Sequence, residues 1–254
     1  MHLPKRFLLA GALLSFVSGV HADELFPAPC EIPQSTVTNL LNTILTEVVN
    51  LPDHNGSLFG AAPRMWAAVV DRNGVLCGIG KSNSDAWPGS RAIAIAKAET
   101  ANDFSNNLLA LSTANLYGPT QPGGSLYGLN NSNPFNPIFN APANDLFSGR
   151  GFVVGGIITF GGGVALYNSG GQVIGGLGVS GDSSCADHAV AFRMRKFAAL
   201  DHVPSGVAPD HTDNIIYYDP TSSTPISATF DQPHCSANDL TPAAVENVTV
   251  PPKS

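Results

Sequence analysis

Residues 161–201 read GGGVALYNSGGQVIGGLGVSGDSSCADHAVAFRMRKFAALD. Val164 to Asn168 is an apolar strand, and Asn168-Ser169-Gly170-Gly171 is too short for anything but an antiparallel return. Gln172 to Ser180 is therefore its hairpin partner, and a helix follows from Cys185 to about Leu200. Ser184 with Asp187 fits a capping box at the helix start. His188 then falls in the first helical turn, where a helix N-terminus disfavours imidazolium and leaves a neutral ring able to ligate metal. Gly176 and Gly178 strip side chains from the neighbouring strand, which leaves room for a flat ligand. The same glycines spell G-x-G-x-x-G, but a dinucleotide fingerprint needs a parallel strand after the helix. Here His202-Val203-Pro204-Ser205-Gly206 follows instead.

Upstream, Val37, Leu40, Leu41, Ile44 and Val48 lie at helical spacing within a helix from Ser35 to Asn50. Met65 to Val70 and Val75 to Gly80 are strands joined by Asp71-Arg72-Asn73-Gly74, a hairpin turn. A second helix, rich in alanine, runs from Arg91 to Phe104. Ser105 to Arg150 is a long irregular insertion whose Tyr117, Tyr127, Phe135 and Phe139 suit an ordered cover. Phe152 to Phe160 reads as a fifth strand and Asn214 to Asp219 as a short strand-like piece. The expectation is an α+β domain: a five-stranded antiparallel sheet with packed helices. That domain spans 23–240, and 241–254 reads as a flexible C-terminal tail.

Lys5 and Arg6 precede an apolar run, Phe7 to Val20, and small residues at Val20 and Ala22 suit a signal peptidase. Residues 1–22 are read as a cleaved export signal, giving a periplasmic or secreted protein with no membrane span. Cleavage would move the formal charge from −7 to −9. An acidic, sparsely charged chain argues against nucleic acid as a partner. Cys30, Cys77, Cys185 and Cys235 make an even set, which in an oxidising compartment favours two disulfides. A helix feeding a hairpin brings Cys30 and Cys77 to one end, so Cys30–Cys77 and Cys185–Cys235 are the expected pairs.

Arg91 and Lys97 lie on the alanine-rich helix, where they could meet carboxylate groups of a ligand, although a solvated helix face is the plainer reading. His202, His211 and His234 fall in loops and read as solvated. Ser180 lacks the spacing of a nucleophile elbow, and no H-E-x-x-H or P-loop occurs.

Three ordered blocks resemble the GlcG/HbpS-type haem-binding family: Ala67 to Leu76 (AAVVDRNGVL), Ile93 to Ala101 (IAIAKAETA) and Gly162 to Gly181. Gln121 to Leu126 (QPGGSL) and Gly181 to His188 (GDSSCADH) are similar to a longer, exported subset. The resemblance implies a profilin-like α+β sandwich, a possible homo-oligomer, and haem binding outside the cytoplasm in some members. It supplies no axial ligand. The expected function is therefore haem capture, storage or sensing. Haem would lie on the strip around Gly176 and Gly178, with His188 as iron ligand and Tyr117 or Tyr127 as substitutes. Two alternatives stand beside it. One is a binding module for an organic acid, held by Arg91, Lys97 and the helix start at Ser184. The other is a haem-degrading or haem-using enzyme.

Overall fold

The computed structural model describes residues 27–60, 63–140 and 149–249. The expected export signal lies outside them. Four strands form one antiparallel sheet in the order β2-β1-β4-β3: β1 Trp66–Asp71, β2 Leu76–Lys81, β3 Gly163–Tyr167 and β4 Val173–Ser180. Trp66 faces Lys81 on β2 and Ser180 on β4, while Gly163 faces Gly178. Both hairpins lie where the turn residues place them, and Gly74 takes the positive φ of 78° that its turn requires.

The fifth expected strand does not form. Gly151, Gly155 and Gly156 sit at φ of 81°, 76° and 97°, conformations that break a ladder. From 152–160 only Val153 pairs, as an isolated bridge to Val75. The 214–219 piece likewise contributes only an isolated bridge, Tyr217 to Gln232.

Alternation along the strands gives the sheet two apolar faces, and helices cover both. On one face, α1 (Gln34–Thr38) continues through a π-helical turn, Asn39–Ile44, into α2 (Leu45–Val49). Leu40, Leu41, Ile44, Leu45 and Val48 pack there with Ala67, Val69, Leu177 and Val179. α4 (Ser184–Phe197) adds Val190, Phe192, Met194 and Phe197 to this cluster. On the other face, α3 (Ser90–Asp103) sets Ala94, Ile95 and Ala98 against Trp66, Ala68 and Val70. Burial of each large aliphatic side chain contributes about 1.5–3 kcal/mol, so this three-layer packing is the main source of stability.

Two disulfides, Cys30–Cys77 and Cys185–Cys235, match the pairing expected from chain geometry. The first ties the chain ahead of α1 to the start of β2. The second ties the start of α4 to a C-terminal arm, residues 201–249. The arm is held elsewhere too: Arg195 pairs with Asp213 with both groups buried, and its Nη1 also donates to Ala165 O at 3.0 Å. Residues 242–246 differ from the loose tail expected of them. They form α5 (Pro242–Glu246), which buries Val245 and receives Arg193 on the carbonyl of Ala244 at 2.8 Å. Among the described residues no helix is long and apolar enough to cross a membrane.

Candidate functional site

The approach to α4 is built by polar side chains folding back on the backbone. Ser183, not Ser184, is the N-cap. Its backbone is extended (φ −58°, ψ 151°), and its Oγ accepts from Ala186 N, whereas Ser184 is already helical. Asp187 therefore sits one position further into the helix than a capping box requires. One carboxylate oxygen accepts from Asp182 N at 2.9 Å, and the other accepts from Lys97 Nζ at 2.7 Å. Lys97 also donates to Val179 O at 3.0 Å and lies over the Phe160 ring. Burial opposes both charges, pushing the Asp187 carboxyl up to about 6 and the Lys97 ammonium down, while their mutual attraction opposes it. The pair fastens α3 to α4 past the end of β4. Lys97 is fully enclosed and does not form the solvated face expected of it.

His188 is fully buried beside this pair. Its Nε2 lies 3.3 Å from Asn214 Oδ1, and its ring tilts against Phe192. Asn214 Oδ1 also accepts from Ile215 N, and its Nδ2 donates to Pro242 O, which fixes the amide orientation. An oxygen acceptor there makes Nε2 the protonated nitrogen, so the lone pair sits on Nδ1, which has no partner among the described residues. Burial pushes the imidazole down to about 4, so the ring is neutral, as expected, although desolvation is the main cause. Gly161 backs against it: a Cβ there would lie 2.9 Å from the Cβ of His188. No face of the ring is open to a planar guest.

The glycine strip is closed as well. A Cβ on Gly176 would collide with the carbonyl oxygen of Ala98, and one on Gly178 with that of Ala94. These glycines let α3 sit directly on the sheet, so the strip serves helix packing rather than a flat ligand. Arg91 is 1% exposed, with Nη1 donating to Asn140 Oδ1 at 3.2 Å. Tyr117 is half-buried and Tyr127 is 68% exposed. The seven residues proposed from sequence therefore do not converge on one open cavity. Lys97 and His188 flank the Asp187 corner, Gly176 and Gly178 lie under α3, and the others are dispersed.

An open groove lies instead on the C-terminal arm, with a volume of about 490 Å³. Ile215, Ile216, Tyr217, Pro242 and Ala243 line it, with Glu246 at its α5 side. That volume falls within the range of small-molecule sites. Its floor, Ile215, follows the asparagine that covers His188. Tyr217 forms one wall, and His234 stacks on the Tyr217 ring at 3.9 Å between centroids. His234 Nδ1 is 3.2 Å from Asp239 Oδ2, while Asp239 also accepts from the backbone of Cys235 and Ser236. A carboxylate only accepts, so Nδ1 carries the hydrogen, and Nε2 is the nitrogen left to take up a ligand bond. The imidazole is 59% exposed while Asp239 is fully buried. This is a held imidazole with one nitrogen open, the arrangement usual for a metal ligand. From sequence His234 reads as one more solvated loop residue, with no partner named for it. The usable signal was His234-Cys235 followed by Asp239, a turn closed by a cysteine.

Two clusters of ligand-type groups, Cys30/Asp71/Cys77 and Cys185/Cys235/Asp239, each contain a disulfide whose sulfurs are already spent on one another.

Residues 60–195 match the family model described as haem degrading protein HbpS-like. The arm and its groove lie beyond the matched segment. Among solved structures, the Klebsiella pneumoniae protein ORFY is similar at 23% identity, covering 66% of this chain and 90% of that one, with a TM-score of 0.48. PduOC, crystallised as a haem complex, is 25% identical over 64% of this chain and 91% of its own, with a TM-score of 0.45. HbpS is 20% identical over 68% and 94%, with a TM-score of 0.43. No curated protein matches the chain. With more than half of its residues covered by that family model, and the helix-covered antiparallel sheet to go with it, this chain belongs to the HbpS-like family.

Proposed function

We propose that the mature protein is an exported haem-binding protein that holds haem on its C-terminal arm. Membership of a family described as haem degrading is the observation that carries the ligand class. Two disulfides support an oxidising, periplasmic or secreted location. The haem-degrading or haem-using alternative is the same binding event followed by turnover, for which loss of bound haem under a reductant is the readout.

The groove residues suit such a ligand. Ile215, Ile216 and Pro242 offer an apolar wall for a macrocycle, and burial of that surface supplies most of the affinity. Haem, when bound, supplies an iron that accepts an imidazole nitrogen. His234, outside the groove lining and stacked on Tyr217, would provide Nε2, and Asp239 would hold the ring through Nδ1. His188 is fully enclosed and could serve only if the packing around its ring opened. The organic-acid reading loses its cations, because Lys97 is paired with Asp187 and Arg91 is enclosed.

Titration of the mature protein with haemin tests this directly. The expected result is a saturable, one-to-one Soret change that weakens at least tenfold in His234→Ala. No saturable binding by the wild-type protein would reject haem as the ligand.

A further inference from the structure

The two disulfides differ in what surrounds their sulfurs. Each has one half-buried and one buried cysteine: Cys30 with Cys77 (2% exposed), and Cys235 with Cys185 (3%). Solvent access therefore does not separate them; hydrogen-bond donors do. Cys185 N donates to Cys235 Sγ at 3.2 Å, and Ser184 Oγ lies 3.3 Å from the same sulfur. Gln232 Nε2 reaches Cys185 Sγ at 3.4 Å and Ser184 Oγ at 3.0 Å. The Gln232 amide cannot be flipped, because its Oε1 accepts from Gly161 N at 2.7 Å. With one amide hydrogen on Ser184 Oγ, the serine hydroxyl is directed to Cys235. Among the described residues, no N–H or O–H donor is seen at either sulfur of Cys30–Cys77.

We propose that Cys185–Cys235 is an exchange-reactive disulfide that a dithiol reductant opens in the folded protein, while Cys30–Cys77 remains a structural crosslink. A thiolate of the reductant attacks the half-buried Cys235 Sγ, forming a mixed disulfide. The bond between the two protein sulfurs breaks, and its electron pair leaves on Cys185. The second thiolate of the reductant then attacks its own sulfur in the mixed disulfide, closing a cyclic disulfide and releasing Cys235 as thiolate. Two electrons pass from the dithiol to the protein, and the protons follow from solvent. Gln232 faces the charge that develops on Cys185, and Ser184 with the Cys185 N–H faces that on Cys235. Such charge-assisted hydrogen bonds lower the energy of the breaking bond. This inference rests on the sulfur surroundings alone and stands whether or not haem is bound.

The test is timed reduction of the native protein by dithiothreitol at neutral pH, quenched by alkylation and read by peptide mass spectrometry. The expected result is that Cys185 and Cys235 become labelled at least about tenfold faster than Cys30 and Cys77. In Gln232→Met, which removes the donor facing the leaving Cys185 sulfur, opening of Cys185–Cys235 should slow by about tenfold, with Cys30–Cys77 unchanged as the internal control. Equal rates in the wild-type protein, or faster opening of Cys30–Cys77, would overturn the proposal without any variant. An unchanged rate in a folded Gln232→Met protein would overturn the donor argument.

Discussion

Replacing Lys97 by methionine tests whether the corner between α3 and α4 is a structural fastening. The substitution keeps an apolar stem of similar length and deletes only the ammonium. Asp187 would then be a carboxylate 2% exposed, with one remaining hydrogen bond, from Asp182 N. Stranding one partner of a buried pair costs about 3–5 kcal/mol. Adding Asp187→Leu removes the stranded charge, but Asp182 N then loses its acceptor, a penalty of about 1–3 kcal/mol. The double variant should therefore be more stable than Lys97→Met alone. The pH dependence has a definite sign. Without Lys97, the folded-state pKa of Asp187 rises further above its ordinary 3.8. A carboxyl raised in this way stabilises the fold at low pH and loses that contribution as pH climbs through its folded value. The deficit of Lys97→Met against wild type should thus shrink as pH falls. Urea unfolding at pH 5 to 8 measures both effects. A cost under about 1 kcal/mol, or a double variant as unstable as the sum of the singles, would refute the reasoning.

Two further substitutions probe the packing. Burial first, then the Asp103 and Asp71 charges, push Glu99 from 4.5 up to about 8, against one opposing hydrogen bond from Gly155 N. Its contribution to stability is complete below pH 4.5 and is lost as pH rises to 8, a swing of roughly 4–5 kcal/mol by linkage. His188 titrates in the opposite sense below 6.5, so the informative quantity is wild type minus Glu99→Gln, in which that slope cancels. A difference that is flat between pH 5 and 8 would reject the assignment. Gly178→Ala places a methyl against the carbonyl of Ala94 and should cost about 1–3 kcal/mol or more in thermal unfolding. A neutral result would mean that α3 does not cover the strip.

Local signals made most of the scaffold readable. Asn73-Gly74 and Asn168-Ser169-Gly170-Gly171 announce two hairpins, and the apolar spacing around Leu40 and the capping pattern before Cys185 announce two helices. The 152–160 segment was misleading because its β-branched residues outweighed Gly155 and Gly156, whose positive φ only the folded chain reveals. The bare backbone at Gly176 and Gly178 reads from sequence as room for a flat ligand, because nothing local says what approaches a glycine. The visitor is α3, with Ala94 and Ala98 trimmed to match. His188 was correctly expected to be neutral, yet its cover, Asn214, lies on an arm with no periodic pattern. That arm is held by long-range polar contacts such as Arg195 to Asp213, which leave no local trace. His234 reads from sequence only as a solvated loop residue, because its tether depends on Asp239 and Tyr217 meeting it in space.

The most direct measurement is the haemin titration of the wild-type protein beside His234→Ala and His188→Ala, followed at the Soret band. The account predicts saturable binding by the wild type, a weakened and spectrally altered complex in His234→Ala, and near-wild-type binding in a folded His188→Ala protein. Binding that survives loss of His234 but disappears with loss of His188, fold intact, would contradict it.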